Sequence, residues 1–162
     1  MAAGSTYSPI ATTTLGSTAS TYTFSSISSS YTDIVVVVQT TSSGEVYMRF
    51  NSDATTNYSG TEIWTGGSGA NSQQESSVNQ ITLRDSSTTL GNNMSIANIM
   101  NYSNATTYKT VLIRSNDNRY SRVYARVGLW RSASAINAIT LSTSSGSFAV
   151  GSTFTLYGIA AA

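Results

Sequence analysis

Chemistry in this chain has few places to start. Seven Asp and Glu stand against eight Lys and Arg, with no histidine and no cysteine. A hydrolase needs a general base, or a carboxylate pair, within reach of a nucleophile. Glu45 with Asp53 is a candidate pair, but no acid sits in a recognisable catalytic motif. Two carboxylates that meet only in space, as in a glycosidase, are the remaining enzymatic arrangement. The lack of base and orienter favours structural or surface roles for the acids and a chain that is not an enzyme. Without Cys or His, disulfide, thiolate, haem and most zinc chemistry fall away, so no metal site and no cofactor are expected.

Three other patterns invite a functional reading. The glycine-rich "TGGSGA" (65–70) lacks the Lys-Ser/Thr pair and the strand-to-helix setting of a phosphate loop, which favours a plain flexible loop. "NYS" at 57 and 101 and "NAT" at 104 match glycosylation acceptors, at the rate chance allows in a chain this rich in Asn, Ser and Thr. The run of arginines at 114, 119, 122, 126 and 131 is the strongest of the three. Alternation puts Arg122 and Arg126 on one strand face with Tyr124 and Trp130, an arrangement that binds bases or sugars. Arginine in a chain with a single lysine equally suits bidentate pairing with carboxylates at a protein interface, and that reading is preferred. Arg119, Arg122, Arg126 and Arg131 are therefore candidate intersubunit or partner contacts, and no nucleic acid is expected. Tyr58 and Trp64, beside the aperiodic stretch 65–77, admit sugar stacking or packing on a partner.

The elements that must carry these residues are strands. Ser and Thr make up a third of the chain, a share typical of disorder, but hydrophobic residues reach 40% and tyrosine leads the aromatics. Thr, Val, Ile and Tyr suit a pleated, half-buried surface, with Ser, Asn and Gly marking turns. In "EVYMRF", Val46, Met48 and Phe50 oppose Tyr47 and Arg49. In "RVYARVGLW", Val123, Ala125, Val127 and Leu129 oppose Arg122, Tyr124, Arg126 and Trp130. Both are two-faced antiparallel strands, whereas Ile34 to Val38 is apolar on both faces and reads as central. Strands are expected near 5–15, 20–27, 33–41, 44–50, 60–65, 78–84, 95–102, 108–115, 120–131, 136–142 and 153–159. A long loop is expected at 65–77, and "MSIANIM" (94–100) is the one place that suits a short helix. Eleven short strands in 162 residues predict a single all-β domain, an antiparallel β-sandwich, with a jelly roll preferred over an Ig-like topology.

Charge is sparse but divided. Up to residue 100 two bases face six acids, a balance of −4; beyond it six bases face one acid, a balance of +5. Such halves suit pairing across a sheet or between copies. No stretch approaches the roughly 20 apolar residues of a membrane helix. The opening "MAAGSTYSPI" lacks the basic and apolar regions of a secretory signal, so synthesis in a cytosol is expected.

The stretches "MAAGSTYSPIATTTLGSTASTYTFSSI", "MRFNSDATTNYS", "NYSNATTYKTVLIRS", "VGLWRSASAINAITL" and "GSTFTLYGI" resemble small virion structural proteins of tailed bacteriophages, especially those of cyanobacteria and other aquatic bacteria. The resemblance implies a β-sandwich module serving as a capsid decoration or cement protein, commonly a homotrimer on the outer face of the major capsid protein. It implies a virion location after synthesis in the host cytoplasm. The alternative is a head-fibre or tail-tip module holding host surface glycans through Tyr58 and Trp64. In either case residues 1–11, with Pro9 and Ile10, are the expected N-terminal arm on a neighbour or the shell. The closing strand is expected to pair inside a sheet, with Ala160 to Ala162 near a partner or symmetry axis.

Overall fold

The structure, a computed structural model, describes residues 6–42, 44–66, 69–84, 93–118 and 120–160. The described residues form twelve strands and no helix. They are β1 (Tyr7–Thr14), β2 (Thr21–Phe24), β3 (Asp33–Thr40), β4 (Val46–Phe50), β5 (Tyr58–Thr65), β6 (Ala70–Val78), β7 (Ile81–Arg84), β8 (Asn93–Ile99), β9 (Lys109–Asp117), β10 (Arg122–Trp130), β11 (Ile139–Thr143) and β12 (Thr153–Ile159).

They make two antiparallel sheets. One has eight strands in the order β1-β12-β3-β8-β9-β10-β5-β6, the other four in the order β2-β11-β4-β7. The expected all-β, two-sheet architecture is therefore present. From β1 to β4 the chain alternates between the sheets, and two hairpin pairs, β5-β6 and β9-β10, then widen the larger one. Alternation decides burial as anticipated in β4, where Val46, Met48 and Phe50 are buried and Tyr47 and Arg49 lie half out. β3 is buried on nearly every residue from Ile34 to Val38 because it lies between β12 and β8. The core between the sheets includes Ile34, Val36, Met48, Phe50, Leu83, Ile99, Val111, Phe154 and Leu156. Tyr22 stacks on Phe154 at 4.6 Å and Phe148 meets the same ring edge-on at 5.0 Å. Each buried Phe contributes about 2–3 kcal/mol by leaving water.

Three expectations are corrected. Most of the expected loop 65–77 is strand: residues 70–78 pair with β5 from Ala70↔Thr65 to Val78↔Tyr58, with an irregularity between Tyr58 and Gly60. This edge strand, "ANSQQESSV", is held through its backbone, so its side chains need no apolar period. "MSIANIM" is β8 and not a helix, with Ser95, Ala97 and Ile99 facing in. Residues 7–11 are not a free arm: they belong to β1, which pairs with β12 from Tyr7↔Ile159 to Thr14↔Thr153. Residues 1–5 of that expected arm lie outside the described residues. β12 itself pairs inside the sheet, between β1 and β3. Its Gly158 is required by a close approach, since a Cβ there would overlap the Tyr31 ring. Ala161 and Ala162 fall outside the described residues.

Candidate functional site

The widened part of the large sheet has two unlike faces. Its inner face, toward β7, carries Tyr58, Glu62 and Trp64 on β5 and Arg122, Tyr124, Arg126 and Trp130 on β10. At one end Phe50, Tyr58 and Trp130 pack with ring centroids 5.4–6.3 Å apart. The Trp130 indole donates to Asp53 Oδ2 at 2.7 Å, and the Thr55 backbone N–H donates to Asp53 Oδ1 at 2.9 Å. Desolvation alone raises the Asp53 pKa, but hydrogen bonds from Thr55, Trp130 and Asn57 together outweigh it and bring it from 3.8 to about 2. Burial pushes the Tyr58 phenol up to about 12, and that hydroxyl donates to the Asp53 carbonyl at 3.1 Å and accepts from the Phe50 N–H at 3.1 Å.

Further along, Gly128 leaves room for Ile81, whose Cγ2 lies 2.9 Å from where a Cβ would stand. This lets β7 lie close beneath β10. Next comes a buried ion pair. Arg126 Nε donates to Glu62 Oε2 at 2.9 Å, a second guanidinium nitrogen bonds the same oxygen, and Nη1 donates to the Thr82 carbonyl at 2.8 Å. Glu75 Oε2 stands 3.8 Å from Arg126 Nη1 and accepts from the Thr82 hydroxyl at 3.4 Å. One guanidinium thus ties β10, β5, β6 and β7 together. Beyond it Trp64 stacks on Tyr124 at 6.3 Å, and the Arg122 guanidinium lies 4.6 Å above the Tyr120 ring.

The outer face is apolar. Ile63, Leu112, Val123 and Val127 are exposed there, with Ala125 between them; the half-buried Val37 and Ile96 continue the face across β3 and β8, and Val35 beside them is buried. A groove of ≈ 740 Å³ runs across it, with Val35, Ile63, Leu112 and Val127 among its walls. Exposed apolar area of this extent on one sheet is a mark of an interaction surface.

The sequence-derived candidates distribute as follows. Arg126 is buried in its ion pair and is no surface contact. Arg131 latches the preceding loop, with Nη2 donating to the Thr56 carbonyl at 2.8 Å. Arg122 is half-exposed over Tyr120. Arg119 lies outside the described residues. Pro9 is exposed on β1 opposite Tyr157, whereas Ile10 packs against the chain's own core. Tyr58 is fully buried and is removed as a glycan contact; Trp64 remains half-exposed. Glu45 and Asp53 are not brought together: they flank β4 at opposite ends, Glu45 accepting from the Tyr47 hydroxyl and Asp53 from Trp130. Among the described residues no cluster of three or more metal-binding side chains occurs. Among the described residues the division of charge shows where Arg126 of the basic half meets Glu62 and Glu75 of the acidic half.

Sequence reasoning had the two alternating sets of β10 but assigned the arginine set outward. The polar set faces in because β7 supplies the Thr82 carbonyl and β5 supplies Glu62, so each buried donor finds an acceptor. Neither a family model, nor a curated protein, nor a solved structure matches this chain.

Proposed function

We propose that this protein is a non-enzymatic structural component of a bacteriophage virion, a capsid decoration or cement protein that binds the outer shell of the head. The observation that carries the reading is the direction of the side chains on the widened sheet: ionic chemistry turned inward, aliphatic surface turned outward. Acids that an enzyme would use are tied to the fold. Asp33 accepts from the Asn101 N–H, Asp53 from Trp130, Glu45 from Tyr47, and Glu62 and Glu75 face Arg126. A surface of Ile, Leu and Val suits a lasting protein contact, and many equivalent copies on a shell gain avidity from weak individual contacts. The sequence resemblance to tailed-phage virion proteins supplies the class of partner and implies a homotrimer.

The strand orders support a jelly-roll reading. We infer that β1-β12-β3-β8 opposite β2-β11-β4-β7 is its eight-stranded frame, to which β9-β10 and β5-β6 are added at one side.

The test is co-sedimentation of the purified chain with tailed-phage capsids stripped of decoration. Return to the particles at fixed stoichiometry supports the reading, and a chain left in the supernatant counts against it. The alternative of a carbohydrate-binding head-fibre or tail-tip module is favoured by one feature, the half-exposed Trp64 beside a hollow of ≈ 290 Å³ that Thr65 and Val123 also line. Glycan binding unaffected by Trp64→Ala removes that alternative.

A further inference from the structure

We propose that the outer face of the eight-stranded sheet is the contact between two copies of this chain, related by a two-fold axis that sets Arg114 of each copy against Asp33 of the other. The inference rests on the assembly reading above and gives that surface to a second copy, so that the resulting pair meets a shell through another of its faces.

Besides Tyr7 on the edge strand β1 and Thr61 on β5, three polar residues interrupt the apolar groove: Asp33 on β3, Asn98 on β8 and Arg114 on β9. The other charged residues at its wall, Glu62 and Arg126, are turned inward and paired with each other. Arg114 is exposed and enters no ion pair among the described residues. Asp33 spends one carboxylate oxygen on the Asn101 N–H, at 2.6 Å, and has the other to offer. The face therefore presents one cation and one anion.

Their positions follow from the register. Val37 pairs with Ile96 and Ile96 with Arg114, so Arg114 lies two strands and four residues away from Asp33. At about 4.8 Å per strand and 3.3 Å per residue, the separation is about 16 Å. Val35 pairs with Asn98 and Asn98 with Leu112, which puts Asn98 midway between the two charges. A two-fold axis lying between two such faces and crossing that midpoint at a right angle to the line carries each Arg114 over the partner's Asp33. It also brings Asn98 against its own copy, where a primary amide, having both donor and acceptor, pairs reciprocally. One operation satisfies Asp33, Asn98 and Arg114 and covers Ile96, Leu112 and Val127 with their equivalents.

The area is sufficient. Six strands from β12 to β5, along about six residues, present about 600 Å² per copy, so a pair covers about 1,200 Å², the lower bound of stable interfaces. A glycan suits this face poorly, because among the described residues Tyr7, on the edge strand, is the one aromatic side chain that lines the groove, where a sugar ring stacks on aromatic faces. A two-fold contact calls for two copies, where the family resemblance implies three.

Absence of cysteine makes the test clean. Asp33→Cys and Arg114→Cys variants are prepared separately, then mixed and treated with a short bis-maleimide. The mixture is expected to give a covalent dimer and each variant alone is not, because equivalent positions of the two copies stay about 16 Å apart along the face. Light scattering of the unmodified chain is expected to give twice 17.1 kDa. Val127→Glu, at an exposed position, is expected to keep the circular dichroism spectrum while weakening association roughly tenfold or more. A monomeric or trimeric mass, or a mixture that does not cross-link, overturns the pairing. A monomer that still returns to stripped capsids overturns the pairing alone and leaves the virion reading standing; a correctly cross-linked dimer that ignores capsids does the reverse.

Discussion

Replacing Arg126 by methionine tests whether the inner face is held by charge. Arg126 is 6% exposed and Glu62 3%, so the substitution strands a buried carboxylate. It also removes the donor to the Thr82 carbonyl, the link from β10 to the smaller sheet. Breaking a buried pair from one side costs about 3–5 kcal/mol. At about 2–4 °C per kcal/mol for a domain of this size, the melting temperature falls by about 6–20 °C. Glu62→Gln is expected to cost less, about 1–3 kcal/mol, because Arg126 keeps the Thr82 carbonyl and has Glu75 3.8 Å away. The double variant Arg126→Met/Glu62→Gln removes both charges and is expected to recover part of the loss, with a coupling of about 1–3 kcal/mol. The assay is urea denaturation of all four proteins at one fixed concentration in the Val127→Glu background, so that self-association does not add to apparent stability. A loss below about 1 kcal/mol for Arg126→Met, or a double variant no more stable than that single one, would falsify the assignment of this pair as the tie between β5, β7 and β10.

Three further outcomes are expected. Tyr58→Phe removes a buried hydroxyl bonded to the Phe50 N–H and the Asp53 carbonyl, and calorimetry should show a loss of about 1–3 kcal/mol without any change in glycan binding. Gly158→Ala sets a methyl into the Tyr31 ring and should destabilise by about 1–3 kcal/mol in the same measurement; an unchanged midpoint would mean that Tyr31 swings aside freely. Asp53, with its pKa lowered from 3.8 to about 2, contributes stability that is complete above pH 4 and lost as pH falls through about 2. Asp53→Asn should therefore flatten the acid limb of the stability profile below pH 4, and an unaltered limb would show that other carboxylates set it.

Strand positions were largely legible because turn residues punctuate the chain and period-two patterns survive in β4 and β10. β6 was not, since an edge strand paired through its backbone can carry Asn, Ser and Gln at every position. β8 reads ambiguously because "MSIANIM" alternates only weakly, and pairing with β3 and β9 decides it. Periodicity separated the two faces of β10 but could not orient them. That choice depends on Ile81 filling the space above Gly128 and on Glu62 meeting Arg126, contacts between residues 47 and 64 positions apart. The arginine cluster divided for the same reason: a one-dimensional run of like residues does not show that Arg126 ends in the interior while Arg122 lies over Tyr120.

The placement of β12 between β1 and β3 has a temporal consequence. The first strand of the wide sheet meets its neighbour only after more than a hundred intervening residues have been synthesised, as the partners Thr12 and Thr155 show. A ribosome adding roughly 5–20 residues per second leaves β1 and one edge of β3 without partners for many seconds. Folding of this sheet is thus gated by translation, with Val35 to Val38 as the segment most in need of shielding on the nascent chain.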